Sequence, residues 1–419
     1  MKKTLRLLPP PLFSAPPPPP DSKTSNENKT LQKKQPVAKP DRSLQAREPG
    51  AARVPLSDVF TVPKTNSFFG RSWQKTDVVY GLFMLAMHVL CLLAPATYSP
   101  AAVAWFFASY FVTGCLGITL SFHRQLSHRA FQTPKWLEYA FAYCGVLAVQ
   151  GDPIEWASSH RFHHLHCDTP LDPHSPYEGF WWSHAGWLLD HGATMERVGA
   201  RGNTSDLDAQ PFYRWVQKTY ALHVAAQFAA LWALGGLPAV VWAGALRICW
   251  VYHVSLVRGC DGVFPFFFIF LSSSFARCSF SPLVLSFKLT PPPPSSLPSP
   301  LSLSISFSFL LFPSLQVTWF VNSVCHVWGS QTYDAGDLSR NNWWVGILAF
   351  GEGWHNNHHA FEFSARHGLE RFQVDMTWMV IRALEVVGLA TNVKLPTERQ
   401  KARLLIKKSQ RGGAAPAAA

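Results

Sequence analysis

Residues 160–174 have the sequence HRFHHLHCDTPLDPH, and this stretch decides what kind of protein the chain can be. It holds five histidines and two aspartates in fifteen positions. If its first residues are helical, His160, His163 and His164 stand at i, i+3 and i+4 and project from one face. Neutral imidazole is the commonest metal ligand among side chains. The composition and the spacing together predict a metal site.

Two further histidine clusters lie far from this stretch in the chain. They are HRQLSH at 123–128 and HNNHH at 355–359, so the three clusters are spread over more than two hundred residues. Tight clusters at such separations indicate ligands that the fold brings together. Isolated histidines such as His367 are instead expected to be ordinary surface or core residues.

The composition favours a membrane protein. Hydrophobic residues make up 48% of the 419 positions and charged residues 15%, whereas about a quarter of the residues of a soluble protein are charged. The net charge is +12, but residues 1–71 hold thirteen Lys and Arg against five Asp and Glu. No basic stripe interleaved with aromatic residues follows, so no nucleic-acid partner is expected. The eight cysteines contain no CxxC pair and are interpreted as reduced packing residues.

Both ends of the chain are predicted to be tails. Residues 1–71 are rich in Pro, Ser, Thr and basic residues, which cannot bury a core. They have no continuous apolar segment of the kind a secretory signal needs, so an organellar transit peptide is favoured, with a disordered cytosolic tail as the alternative. The basic and alanine-rich residues 396–419 are expected to be the second tail.

Four apolar segments are long enough to be considered as helices that cross a bilayer core of about 30 Å. They lie at about 78–95, 101–121, 212–234 and 237–253. The apolar run 136–149 is too short to span, and 376–389 is expected to be a helix packed on the cap. This arrangement puts all three histidine clusters on one side, so the predicted fold is an all-α membrane protein with four transmembrane helices and a helical cap that holds the site.

The three clusters resemble the histidine boxes of membrane fatty acyl desaturases. QGDPIEWASSH precedes the second cluster and FGEGW the third, and the similarity is strongest to plant and algal acyl-lipid desaturases that share a fold with stearoyl-CoA desaturase. It covers a first part, 72–253, and a second part, 317–395. The resemblance implies two irons held by nine histidines and one water-bridged asparagine. The matching positions are His123, His128, His160, His163, His164, Asn322, His326, His355, His358 and His359.

The resemblance also implies the remaining reactants. Removing hydrogen from an unactivated methylene needs a strong oxidant, which iron can generate from O2 and side chains cannot. Imidazole alone does not select iron. Asp168, Asp172 and His174 are candidates for partners that fix the orientation of ligand rings, although the two aspartates could equally be loop or N-cap acids. Two electrons must come from a separate protein, ferredoxin in a plastid or cytochrome b5 in the endoplasmic reticulum.

The predicted activity is the insertion of a cis double bond, of delta-9 or delta-7 type, into a saturated fatty acyl chain. Acyl-CoA desaturases carry an Arg-Asp pair directly before the second box, where this chain has Ser158 and Ser159, which favours an acyl group esterified to a membrane lipid. The alternatives are an acyl-CoA desaturase, a histidine-box hydroxylase or ketolase, and a histidine-rich metal transporter. A transporter should place histidines or acids near the middle of its spans, whereas these clusters fall just beyond span ends.

Residues 254–316 are predicted to be a low-complexity insert translated from a retained intron. The stretch 291–300, PPPPSSLPSP, cannot be helical. Residues 301–315 consist almost wholly of Leu, Ser, Phe and Pro, whose codons are rich in pyrimidines, as is the tract before a splice acceptor. Without the insert, the helix that starts near 237 would continue through 317–329 and carry Asn322 and His326 four positions apart on one face. A genuine low-complexity loop or an extra apolar hairpin is the alternative.

Overall fold

The computed structural model describes residues 71–169, 171–175, 180–199, 202–252, 321 and 324–406. The predicted amino-terminal tail up to residue 70, the insert 254–316 and Asn322 lie outside the described residues. The helices are α1 (Lys75–Cys91), α2 (Pro100–Tyr110), α3 (Lys135–Val146), α4 (Pro153–His166), α5 (Phe180–His184), α6 (His191–Val198), α7 (Ser205–Asp208), α8 (Pro211–Lys218), α9 (Tyr220–Ala239), α10 (Arg247–Tyr252), α11 (Trp343–Leu348), α12 (His355–Ala360), α13 (Met376–Val386) and α14 (Glu398–Leu404). Within the described ranges the only extended pairings are isolated bridges, so the predicted helical class is confirmed there.

A long helix carries the first histidine cluster. α2 continues as the π-helical segment Phe111–Ser127, and together they form 28 residues that include an 18-residue stretch with a mean hydropathy of 1.7. At 1.5 Å per residue this helix is about 42 Å long, against about 30 Å for the core of a bilayer. In its wide last turn the backbone N–H of His128 donates to the carbonyl of His123, five residues earlier. The helix is therefore long enough to cross a bilayer and still project its histidines beyond it.

A second long apolar element covers Tyr220–Tyr252, 33 residues, and turns back on itself. Gly236 has φ +59°, in the left-handed region that glycine adopts without strain. A Cβ on Gly244 would lie 2.9 Å from the ring of Phe228, so the arms before and after Gly236 pack against each other. By length and composition, this element and Pro100–Ser127 are the two candidate membrane spans of the described residues. The predicted break between 234 and 237 is confirmed.

The start predicted for this element, near 212, is wrong. Pro211–Lys218 forms the separate amphipathic helix α8, which ends where Thr219 leaves helical geometry. Tyr213 and Val216 on its inner face are fully buried in an apolar cluster with Leu126 and Ile154. Because this face is buried against Leu126 and Ile154, α8 remains separate from the apolar helix that follows it.

Two glycines allow α3 to cross closely over the π-helical segment. A Cβ on Gly117 would lie 2.5 Å from the backbone of Cys144, and one on Gly145 would lie 2.4 Å from the ring of Phe122. Neither position could hold a larger side chain without moving the helices apart. α3 has 12 residues, or about 18 Å, in agreement with the prediction that this apolar run is too short to span.

A buried aspartate ties the start of α1 to the α6 region. Asp77 is fully buried, pairs with Arg71 at 2.8 Å, and accepts hydrogen bonds from the backbone N–H groups of Gln74 and His191. Arg71 also donates to the carbonyl of Leu189. The first described residues are thereby fastened to the segment that leads into α6.

The folded region extends beyond the predicted boundary at residue 395. Thr397 caps the start of α14 by accepting from the N–H of Gln400. Backbone bonds join Asp334 N–H to the carbonyl of Leu404 and Ile406 N–H to the carbonyl of Thr332. α13 forms as predicted, and its Ile381 is buried against the upper part of the long helix.

Candidate metal centre

The structure gathers histidines from all three sequence clusters into two adjacent groups. The first group, here cluster A, has five ring nitrogens within 4.8 Å of one another and consists of His123, His128, His160, His164 and His358. The Nε2 atom of His358 lies 3.0 Å from Nε2 of both His123 and His164. The Nε2 atoms of His128 and His160 are 2.9 Å apart. Each of the three sequence clusters contributes to this single group.

The second group, here cluster B, contains His163, His326, His355 and His359. Donor atoms of His163, His326 and His359 lie within 4.8 Å of one another and of the thiol of Cys167. His355 joins them because its Nε2 lies 3.0 Å from Nε2 of His326. Sequence reasoning did not single out Cys167, whose Sγ is 3.6 Å from Nδ1 of His359.

α4 divides its histidines between the two clusters. The helix starts at Pro153 because the side chain of Asp152 accepts from the N–H groups of Ile154 and Glu155. His160 and His164 follow on one face, with ring centroids 4.7 Å apart, and both belong to cluster A. His163 belongs to cluster B. The three histidines are helically spaced as predicted, but they are divided between two neighbouring groups.

Carboxylates hold the outer nitrogens of cluster B. The pairs are His163 Nδ1 with Asp172 at 3.0 Å, His326 Nδ1 with Asp168 at 3.1 Å, and His359 Nδ1 with Asp337 at 2.6 Å. Burial alone would lower the pKa of His326, but Asp168 and the neighbouring carboxylates raise it to about 9. Conversely, His359 and His326 overcome the effect of burial and hold the pKa of Asp337 below its usual range.

A different network supports cluster A. Glu352 accepts at 2.6 Å from Nδ1 of His123, pairs with Arg124 at 2.9 Å, and lies 3.2 Å from Nδ1 of His367. Burial opposes ionisation of Glu352, yet His123, His367 and Arg124 keep its pKa well below the usual value. Asp375 completes the network with a 3.0 Å contact to Arg124.

A cavity of about 190 Å³ runs beside both clusters. His123, His160 and His355 form part of its wall, and Tyr110, Ile118 and Phe350 line an apolar part. The rings of Tyr110 and Phe350 are 4.6 Å apart. Phe350 has φ +54°, an uncommon conformation for a bulky residue that the surrounding fold must hold in place. None of the described lining residues is a lysine or an arginine.

Comparison with known proteins identifies the family. The fatty acid desaturase family model matches residues 99–383. The chain belongs to the fatty acid desaturase family. A chloroplastic palmitoyl-monogalactosyldiacylglycerol delta-7 desaturase of Arabidopsis thaliana is 46% identical over 360 residues, 86% of this chain and 80% of the relative. An acyl-CoA C20 delta5-desaturase of Anemone leveillei is 41% identical over 85% of this chain and 94% of the relative. Delta-9 acyl-lipid desaturase 1 of Arabidopsis thaliana is 40% identical over 81% of this chain and 91% of the relative.

The donor atoms of this desaturase fit a pair of metal ions. Burial first, and neighbouring imidazoles second, hold the pKa of six rings well below the usual value: His128, His160, His163, His164, His355 and His358. A neutral imidazole is the form that ligates a metal. Nε2 of His359 is buried without a hydrogen-bond partner among the described residues, while its Nδ1 is held by Asp337. Such a nitrogen is expected to have a cation as its partner.

Three predicted ring partners of this desaturase lie where they can act. Asp168 and Asp172 contact ligand candidates, as described above, and His174 lies 3.4 Å from Asp172 through its Nδ1. Asp172 also accepts from the backbone N–H groups of Asp168 and His174. Asp172 therefore contacts a ligand candidate and also accepts from backbone N–H groups of its own loop.

Other site residues of this desaturase were missed. His367, expected to be an ordinary histidine, is stacked on His358 with ring centroids 4.3 Å apart. Glu352 lies within the FGEGW stretch, so its position three residues before the third box was an available signal. Asp337 had none, because only the folded chain brings it to His359. Asn322, the predicted tenth ligand position, lies outside the described residues.

Proposed function

We propose that this desaturase inserts a cis double bond into a saturated acyl chain of a membrane glycerolipid, with O2, two irons and electrons from a separate donor protein. The observation that carries the proposal is the cavity, which is apolar at Tyr110, Ile118 and Phe350 and passes directly beside histidines of both clusters. An acyl chain in it would lie with methylenes against the site. The net reaction removes two hydrogens from the chain while O2, two electrons and two protons become two waters.

The residues of the chain position and protect the reaction. Iron bound in the two clusters would supply the O2-derived oxidant that side chains cannot provide. Tyr110 and Phe350 line an apolar part of the cavity, where their packed rings are proposed to limit how far an acyl chain can enter. Trp156 and Trp187 line another part of the wall and exclude water from the reacting methylenes. The carboxylates behind the rings keep the imidazoles oriented toward the metal positions.

The ten ligand positions of the resemblance are proposed to hold the irons. Cluster A supplies five histidines to one ion, and cluster B supplies four to the other. Asn322 is proposed to reach the second ion through water, as the resemblance implies. The predicted partners Asp168, Asp172 and His174 would act on cluster B alone.

Four membrane crossings are proposed, in place of the two elements that qualify by length and composition. Tyr220–Tyr252 would provide two of them, because it turns back at Gly236 and each of its two largely apolar arms has about sixteen residues, close to the minimum of about 17 for a span. Pro100–Ser127 would provide the third. α1 is the fourth candidate, because Val78, Leu82 and Leu85 are exposed along a helix of 17 residues.

An acyl-lipid substrate is proposed over acyl-CoA. Both kinds of relative exist, so the support comes from the cavity, whose described lining offers no lysine or arginine to the phosphates of CoA. Of the two serines that replace the charged pair, Ser159 lines the cavity, whereas Ser158 is buried and donates to Asn203 at 2.7 Å. Only Ser159 can therefore contact a headgroup. The names of two Arabidopsis relatives, both chloroplastic, support a plastid membrane, and one of them supports a galactolipid headgroup. Phosphatidylglycerol is the alternative headgroup, and in a plastid the proposed electron donor is ferredoxin.

The insert 254–316 is proposed to be absent from the working enzyme. Trp250, before it, and Val321 and Val324, after it, belong to one apolar cluster. The chain therefore leaves and re-enters the fold at one place, which supports removal of the segment without loss of the fold. Transcript sequencing tests the idea: mature messages that uniformly keep the segment, together with lower activity when it is deleted, would contradict it.

Fatty acid analysis tests the function. The full chain and a form without residues 254–316 would be expressed in a desaturase-deficient host, with an empty vector as control. A new monounsaturated acyl chain is expected, and its double-bond position distinguishes delta-7 from delta-9 chemistry. A hydroxylated or oxidised product would instead favour the hydroxylase or ketolase alternative. Pulse-labelling then tests the substrate, because double bonds that appear in acyl-CoA before any lipid class would exclude an acyl-lipid enzyme.

A further inference from the structure

The two histidine clusters differ in the charge that surrounds them. In cluster B, three rings each have an aspartate at Nδ1, at 2.6 to 3.1 Å. The side chains of these aspartates are at most 9% exposed. The remaining contacts of Asp168 and Asp337 are with backbone N–H groups of residues 338 and 339, the Ser339 hydroxyl and the Cys167 thiol. Three buried carboxylates therefore stand directly behind cluster B, and these contacts of Asp168 and Asp337 involve imidazoles, backbone N–H groups, a hydroxyl and a thiol but no lysine or arginine.

The rings of cluster A have fewer buried carboxylates at their outer nitrogens. Among the described residues, the buried acid that contacts a ring of this cluster is Glu352, which accepts from His123 and also pairs with the guanidinium of Arg124 at 2.9 Å. Arg124 pairs in turn with the buried Asp375 at 3.0 Å. A second acid, Glu362, lies 3.5 Å from Nδ1 of His164, and its side chain is 58% exposed. Water and salt screen an exposed carboxylate, so it stabilises little.

We propose that cluster B binds its metal ion more tightly than cluster A, and that Asp168, Asp172 and Asp337 produce the difference. The inference rests on the dinuclear site proposed above. A carboxylate at the outer nitrogen of a ligand imidazole makes the ring more basic and fixes its direction, and loss of such a partner costs roughly 10- to 100-fold in metal affinity. The three charges also attract a dication through a poorly screened interior.

Metal release from the intact protein tests the difference. Full-length protein in detergent micelles would be loaded anaerobically with ferrous iron, cleared of excess and mixed with a coloured Fe(II) chelator. We expect two release phases of equal amplitude, the slow phase at least about tenfold slower than the fast one. One phase that releases both ions would overturn the proposal. Fewer than two irons per chain at the start would instead contradict the dinuclear site itself.

Charge-removing variants assign the phases. Asp337→Asn keeps the shape of the side chain and removes its charge, so it should accelerate the slow phase by roughly 10- to 100-fold and leave the fast phase unchanged. Glu352→Gln is the matched control on cluster A and should accelerate only the fast phase. The proposal fails if Asp337→Asn accelerates the fast phase or leaves the slow phase unchanged.

Single-cluster variants provide an independent measurement. His358→Ala removes a ligand of cluster A, so the retained ion should leave at the slow rate. His163→Ala removes a ligand of cluster B, and its retained ion should leave at the fast rate. If Asp337→Asn does not yield folded protein by size-exclusion chromatography, Asp172→Asn carries the same expectation. The reverse assignment of the two rates would overturn the proposal.

Discussion

The cap and the helices that lead into it follow opposite rules of polarity. In the cap, His358, Asp172 and Arg124 are almost fully buried, and each has charged or imidazole neighbours. On the helices, Leu82 and Leu222 expose more than 60% of their surface. Exposed leucines at this density are unfavourable in water, and buried charges are unfavourable in an apolar core unless they are paired. The difference teaches that two environments shape this fold. The exposed leucines suit helices that face lipid, whereas the buried polar side chains around the histidine clusters are stabilised by hydrogen bonds and ion pairs with one another.

The largest effect is expected when a histidine is removed from either of the two buried clusters. His163→Ala or His358→Ala should abolish desaturation, because each removes a nitrogen from one cluster, while the protein remains in the membrane fraction. His166→Ala is the matched control, since this histidine lies on α4 outside both clusters, and it should retain most of the product. Fatty acid profiles and membrane fractionation measure the two properties. Near-normal product from either ligand variant would contradict the site.

The second prediction concerns a charge placed on the exposed apolar surface of a helix. Leu82→Asp places a charge on the exposed face of α1, and a charge at the centre of a span costs about 3 kcal/mol, so the amount of protein in the membrane should fall several-fold. Leu165→Asp is the control, because Leu165 is 74% exposed on the cap and a charge there should be tolerated. Immunoblots of membrane fractions report the amounts. An equal fall in the amount of membrane protein in both variants would mean that Leu82 and Leu165 face the same environment.

The third prediction concerns the contact between the two regions. Gly117→Ala sets a Cβ 2.5 Å from the backbone of Cys144, and overpacking of this kind costs about 1–3 kcal/mol. The melting temperature of the purified protein should therefore fall by several degrees. Gly81→Ala is the matched control, since the nearest atom to its Cβ would be 3.9 Å away. A melting temperature that is the same in both variants would show that the helices can move apart at little cost.

The smallest effect is a change of selectivity where the apolar shaft meets the cavity. A Cβ on Gly114 would lie 2.9 Å from the ring of Phe350 and 3.2 Å from that of Tyr110. Gly114→Ala should therefore push these rings into the cavity and lower the use of longer acyl chains, changing the ratio of 18- to 16-carbon products by about two- to fivefold, as one methylene of contact is worth about 0.8 kcal/mol. Ala349→Gly, at another lining position, is the control. It removes a methyl group from the cavity wall, so it should not lower the use of longer acyl chains. An unchanged ratio in Gly114→Ala would place the end of the acyl chain elsewhere.

Much of the site was predictable because its signals are local. His160, His163 and His164 lie within one helical turn, and apolar runs of about twenty residues mark the long helices directly. The division of these three histidines between two metal positions was not predictable, because it depends on where His326 and His358 approach α4. Asp337 and His367 were missed for the same reason, since each reaches its partner only through the folded loops around the third box.

Element boundaries show the same limit in the fold. The break at Gly236 lies between the two apolar segments predicted to end near 234 and to begin near 237, where glycine and proline interrupt the apolar sequence. The separation of α8 from α9 was missed, although Arg214, Gln217 and Lys218 make Pro211–Lys218 amphipathic and were an available signal; burial of Tyr213 and Val216 fixes that helix in the fold. Similarly, the basic composition near the carboxyl terminus hid α14, whose backbone pairs with residues 332–334.

The contact between Arg71 and Asp77 has a consequence for how far the chain can be shortened from its amino-terminal side. His191, Thr194 and Met195, next to the point where Asp77 holds the α6 segment, line the cavity. Removal of Arg71 would leave Asp77 with the backbone N–H groups of Gln74 and His191 alone, and it would break the bond from Arg71 to the carbonyl of Leu189 just before α6. A deletion that ends before Arg71 keeps both of the Arg71 contacts. The shortest amino-terminally truncated form that keeps this part of the cavity wall fully anchored therefore begins at or before Arg71.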